Sequence, residues 1–221
     1  MTSGTPAPQP DRAPAIDDWR TISDELLQGL VHALNNRVAA LSAFVELAKL
    51  GDDEGDPLTV LPTEIVLLHR VNALFALLPE RKTEAEPLDL RAVLDDAIQL
   101  HQHHPRLRGE RVGVAFEGAP GAVRAPRWAL VRAMVMLLHA ARRPGEPAQG
   151  PSVSALRVLG DDATVSVRVA TALAPSADLV ALAERCNGQV TRTVDEIVLT
   201  LPSLRELRRR EREAPGEAGR A

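Results

Sequence analysis

Residues 26–50 read LLQGLVHALNNRVAALSAFVELAKL, a stretch free of proline and rich in Leu and Ala. At about 100° per residue, Ile22, Leu26, Leu30, Leu34, Leu41, Phe44, Val45 and Ala48 fall in one broad apolar sector. His32 falls on the opposite side, and Glu25, Asn36, Ala39, Ala43 and Glu46 share its face. The pattern predicts a strongly amphipathic helix that displays an imidazole to solvent. A lone histidine on a long helix is usually a surface residue without a role. Here Asn35 and Asn36 follow three and four residues on, where helical side chains meet. Alanines rather than long chains flank the histidine, so a partner can come close.

The same pattern begins near Ile16, with Asp17 or Asp18 as a candidate cap, and runs to Leu50, about 45 Å at 1.5 Å per residue. Residues 51–57, Gly-Asp-Asp-Glu-Gly-Asp-Pro, break it with a loop. A second helix follows and ends near Leu78 and Pro79, with Ile65, Leu68, Val71, Leu74, Phe75 and Leu78 at helical spacing. Residues 16–80 thus form an antiparallel helical hairpin. Two helices alone bury too little apolar surface, so the stripes invite a second copy of the chain and a homodimeric four-helix bundle.

Beyond a polar linker at 81–86, the chain reads as an α+β sandwich over residues 87–202. Asp89 caps a helix over 90–101, a strand covers 112–116, and a helix covers 126–141. A loop at 143–151 leads to strands 152–159 and 163–170, joined at Gly160-Asp161-Asp162. A short helix at 177–186 closes on Asn187-Gly188, and a hairpin of 189–193 and 196–201 ends the domain. Residues 1–15 read as a disordered Pro- and Ala-rich leader. Residues 203–221 read as a charged tail, a frayed helix or disordered.

Composition narrows the function. The 221 residues carry a formal net charge of -4, which argues against a nucleic-acid binder. Three Phe, two Trp and no Tyr leave the core to Leu, Val and Ala. The single cysteine, Cys186, excludes an internal disulfide and suits a reducing cytoplasm. No apolar run approaches the ~18 residues of a membrane span, and the first fifteen residues lack the apolar core of a signal peptide. Cys186 reads as a small core residue. His101, His103 and His104 read as a surface cluster at a helix end, and His69 as a bundle-surface residue.

His32-Ala-Leu-Asn-Asn-Arg-Val-Ala-Ala-Leu41 resembles the phosphoacceptor box of two-component histidine kinases, typically His-Glu-Leu-Asn-Asn-Pro-Leu-Ala-Ala-Ile. Residues 87–94, Pro-Leu-Asp-Leu-Arg-Ala-Val-Leu, resemble the entry to the kinase catalytic (GHKL-like) domain, and 188–202 its closing hairpin. The resemblance spans about residues 17–202. It implies His32 as phosphoacceptor, Asn36 where kinases with phosphatase activity carry Thr or Asn, and Asn35 as a donor to a phosphoryl oxygen. Arg37, Ala39 and Ala43 are the expected contacts for a response-regulator receiver domain, although Arg37 lies close to the apolar sector and either snorkels or brings positive charge near the phosphoryl group. Ala33 stands where the family's acidic base belongs, and Arg37 where its proline does.

The departures shape the expected function. Family alignment places Met136 and Ala140 where two asparagines hold Mg-ATP, and neither side chain can ligate magnesium. After the strand ending at Val169, Ala170-Thr-Ala-Leu-Ala-Pro175 replaces the family's Asp-x-Gly-x-Gly box, and the lid segment is missing. The chain is therefore similar to kinase-derived histidine phosphotransferases of the ChpT type: a phosphoacceptor hairpin plus a degenerate catalytic domain without an ATP site. Expected are phosphorelay through His32 between receiver aspartates, no cofactor of its own, Mg²⁺ supplied by the receiver, no ATP-dependent kinase activity and a cytoplasmic location. Expected partners are receivers, a hybrid histidine kinase and a second copy of the chain, with no nucleic acid and no membrane. The alternatives are an adaptor or pseudokinase that sequesters a receiver, and a receiver phosphatase working through Asn36.

Overall fold

The computed structural model describes residues 14–50, 60–105, 111–141 and 153–213. Helix α1 (Trp19–Leu50) and helix α2 (Leu61–Phe75) form the hairpin. Asp18 is the capping residue of α1, its carboxylate accepting from the Thr21 amide at 2.8 Å. Those hydrogen bonds to Thr21 hold its pKa below the usual aspartate value. Proline in the first turn of α2 fits the free donor positions there. The loop expected at 51–57 lies outside the described residues.

Two short strands, β1 (Glu86–Leu88) and β3 (Val123–Ala125), pair antiparallel beside a five-stranded sheet. That sheet consists of β2 (Arg111–Gly118), β4 (Val153–Gly160), β5 (Thr164–Ala170), β6 (Gln189–Arg192) and β7 (Glu196–Pro202). Its order is β2-β4-β5-β7-β6, parallel between β2 and β4 and antiparallel elsewhere. Alternation decides its faces: Val165, Val167, Val169, Ile197, Leu199 and Leu201 point into the core. The other face is polar, and Glu196 joins Arg157 and Arg168 across three strands.

Helices α3 (Leu90–His101), α4 (Arg127–Ala140) and α5 (Ala177–Arg185) cover the apolar face. Asp89 caps α3, as its sequence predicts, by accepting from the Arg91 amide. Ser176 caps α5. Asn187, at φ 56°, and the Gly188 amide bonded to the Ala183 carbonyl close it. Helix α4 is apolar on nearly every side because it lies between α3, α5, the sheet and the base of α1. The whole is an α+β fold, a helical hairpin followed by an α/β sandwich with one layer of helices on the sheet.

Three findings differ from the sequence reading. Residues 204–213, expected as a frayed helix or disordered, form a capped helix, α6 (Leu204–Glu213), packed on the domain. Ser203 caps it through the Glu206 amide, and Glu206 is buried beneath Arg209 and Arg210. These two arginines hold the Glu206 carboxyl at a pKa of about 2. The apolar stripe of α1 also divides. Ile22, Leu26 and Leu30 are buried against the sandwich, whereas Val45 is exposed. Finally, β1 and β3 were not predicted, being too short to show a period. Of the expected leader, only Pro14 and Ala15 lie within the described residues.

Candidate functional site

Glu25, Gly29, His32, Asn36, Ala39 and Ala43 advance along α1 within about 80° of one another. At the foot of this stripe, Glu25 Oε2 lies 2.8 Å from His104 Nε2, in the turn that follows α3. One turn up, Gly29 meets the backbone of that same turn. A Cβ at Gly29 would stand 1.6 Å from the His103 carbonyl oxygen, so only glycine permits the approach. The next turn carries His32, exposed to solvent.

Asn36 Nδ2 lies 3.2 Å from His32 Nε2. An amide nitrogen only donates, so the contact requires Nε2 to be the acceptor and leaves the ring proton on Nδ1. Nε2 is thereby the unprotonated nitrogen, its lone pair directed at the Asn36 amide until a partner displaces that amide. Asn35, Ala39 and Ala43 are exposed around it. Arg37 turns away from this face: its Nη1 donates to both carboxylate oxygens of Glu64 on α2, at 3.2 and 3.1 Å. Ala33 is half-buried against the core. The face offers an accessible imidazole, one positioned amide and small neighbours, a set suited to attack on an incoming electrophile such as a phosphoryl group.

The histidines at and just past the end of α3 are not the expected surface cluster. His101 and His104 are each 1% exposed. His104 also faces His139 of α4, ring centroids 5.3 Å apart, and His139 in turn meets Asp17 at 3.0 Å. Docking of α1 brings Glu25 onto His104, and nothing in the local spacing signals it. His69 is exposed on α2. Among the described residues no group of three or more candidate ligands could hold a metal ion. Cys186 is buried, and desolvation pushes its thiol up to about 12.

On the sandwich, Met136 and Ala140 are completely buried. The segment after β5 pairs with residues 14–16. Ile16 donates its amide to the Ala174 carbonyl and Ala174 its amide to Pro14, at 2.9 and 2.8 Å. Ile16 is itself buried. Sequence reading missed this strap because its partner lies more than 150 positions away.

No protein-family model matches the chain, and no curated protein matches it. Solved structures do resemble it. A mycobacterial sensor histidine kinase, MprB, is 15% identical over 53% of this chain and 97% of its own, with a TM-score of 0.42. A bacterial phosphotransferase is 15% identical over 85% of this chain and 98% of its own, with a TM-score of 0.38. Histidine kinase ThkA, solved in complex with the response regulator protein TrrA, is 14% identical over 85% of this chain and 64% of its own, with a TM-score of 0.43. No function passes to this chain at such values. Among the described residues, no helix is long and apolar enough to cross a membrane.

Proposed function

We propose that the chain is a histidine phosphotransferase of a two-component phosphorelay. His32 Nε2 attacks the phosphorus of an aspartyl phosphate on a receiver domain in line with the acyl oxygen. The N–P bond forms as the P–O bond breaks, and the aspartate leaves as carboxylate. Reversal on a second receiver returns the phosphoryl group to an aspartate. Mg²⁺ comes with the receiver. The single observation that carries this reading is the His32–Asn36 contact, which leaves Nε2 unprotonated on an exposed, alanine-lined face. The His32–Leu41 resemblance supports it. The burial of Met136 and Ala140, with Ile16 packed against the segment after β5, supports phosphate reaching His32 from another protein rather than from ATP bound here.

A second copy of the chain is part of the proposal. Leu27, Val31, Leu34, Val38, Leu41, Val45 and Ala48 repeat at alternating spacings of four and three, a heptad stripe. Leu27, Val31, Val38 and Val45 are 42–49% exposed, and Ile65 and Val66 of α2 are exposed beside them. Pairing of two hairpins buries this surface in a four-helix bundle.

Incubation with radiolabelled ATP alone should leave the protein unlabelled, whereas a phosphorylated receiver should label it, and His32→Ala should abolish the label. Labelling from ATP alone, or of the His32→Ala chain, overturns the reading. Stable receiver binding indifferent to His32 would instead favour an adaptor.

A further inference from the structure

We propose that the hairpin and the sandwich move as one rigid body, locked by Arg132. Four sets of contacts meet at the seam between them. Arg132, on α4 and 6% exposed, lies between two rings, its guanidinium carbon 4.8 Å from Trp19 of α1 and 4.7 Å from Trp128 of α4. The same guanidinium donates to the carbonyls of Leu77 and Leu78, just past the end of α2. One cation thus bridges the start of α1, the end of α2 and the centre of the sandwich. Its planar fork can stack and donate at once, which a lysine cannot do. Stacking on two rings while desolvated makes each contact strong.

The remaining contacts close the seam at separate points. The strap binds Ala174 through main-chain hydrogen bonds, and the Trp19 amide donates to Asp178 of α5 at 2.8 Å. Higher on α1, Gly29 touches the His103 carbonyl, with the Glu25–His104 pair just below. Rotation about any one contact breaks the others, because they are spread from Pro14 to Gly29 and engage α3, α4 and α5 together. The sandwich therefore acts as a fixed strut under the histidine face. The inference does not depend on phosphotransfer and stands or falls separately from it.

Spin labels on Ser42→Cys and Thr191→Cys, exposed sites on α1 and β6, report the geometry in the full chain, diluted with unlabelled chain so that distances within one copy dominate. The buried Cys186 stays unlabelled in the folded protein. Pulsed dipolar spectroscopy should give one narrow distance distribution. Arg132→Met, which keeps bulk but loses the charge and the donors, should broaden it several-fold while helical content is retained. If that variant does not fold, Trp19→Ala gives the same readout from the edge of the seam. A broad distribution in the parent chain, or a narrow one in a folded variant, overturns the proposal.

Discussion

Asn36 holds His32 by its Nε2 atom, at 3.2 Å and one helical turn away. The contact fixes which imidazole nitrogen carries the proton. Asn36→Ala should release the ring to exchange tautomers, visible as a shift toward averaged nitrogen chemical shifts. As the N–P bond forms, the Asn36 amide must leave Nε2 and can donate to a phosphoryl oxygen instead. Loss of that hydrogen bond, worth about 0.5–1.5 kcal/mol, should slow phosphate uptake by about two- to ten-fold. Unchanged uptake together with slowed receiver dephosphorylation would move Asn36 to a phosphatase role.

Val38 sits near the middle of the exposed heptad stripe at 49% exposure. Val38→Asp places a charge where two copies should meet, and burying it unpaired costs several kcal/mol. Light scattering should show the mass fall from dimer to monomer, with helical content kept. A parent chain that is already monomeric would refute the bundle.

Arg37 and Glu64 tie α1 to α2 by a two-oxygen contact that is partly screened, with Arg37 39% exposed and Glu64 12%. The coupling energy from a double-mutant cycle of Arg37→Ala and Glu64→Gln should be about 0.5–1 kcal/mol by denaturant unfolding. A larger effect of Arg37→Ala on receiver binding than on stability would return Arg37 to the docking face.

Glu206 titrates at about 2 in the folded chain, below the ordinary glutamate value of 4.5, because Arg209 and Arg210 donate to its carboxylate. The folded value is the depressed one, so its contribution is complete above about 4.5 and fades as the pH falls toward 2. Amide exchange in α6 should rise across that acid window. Glu206→Gln should give faster exchange at neutral pH and flatten the pH dependence.

Cys186 should resist alkylation at pH 8 in the native protein, since burial holds its thiol near 12. It should react at once in denaturant. Rapid modification of folded protein would contradict the burial.

The hairpin, the Asp89 cap and the Asn187-Gly188 closure were legible because each depends on neighbours within one or two helical turns. The His32–Asn36 contact, one helical turn apart, was legible for the same reason. Where the partner is distant, local reading failed. His104 looked like a surface histidine until α1 covered it with Glu25. The tail looked solvated because Arg205 to Arg212 is dense in charge, yet Glu206 faces inward and pairs with its own neighbours. Arg132 sits amid apolar residues in sequence, and only folding brings Trp19 and the carbonyls of Leu77 and Leu78 to it.

Gly29 gives the histidine face its reference level. Its approach to the His103 carbonyl is main chain against main chain, so no side chain at this point of α1 sets the spacing between the helix and that turn. His32 stands about 4.5 Å above it, three residues at 1.5 Å each. Any protein that seats on the sandwich therefore meets the imidazole at one height, set by a hydrogen atom where every other residue has a carbon.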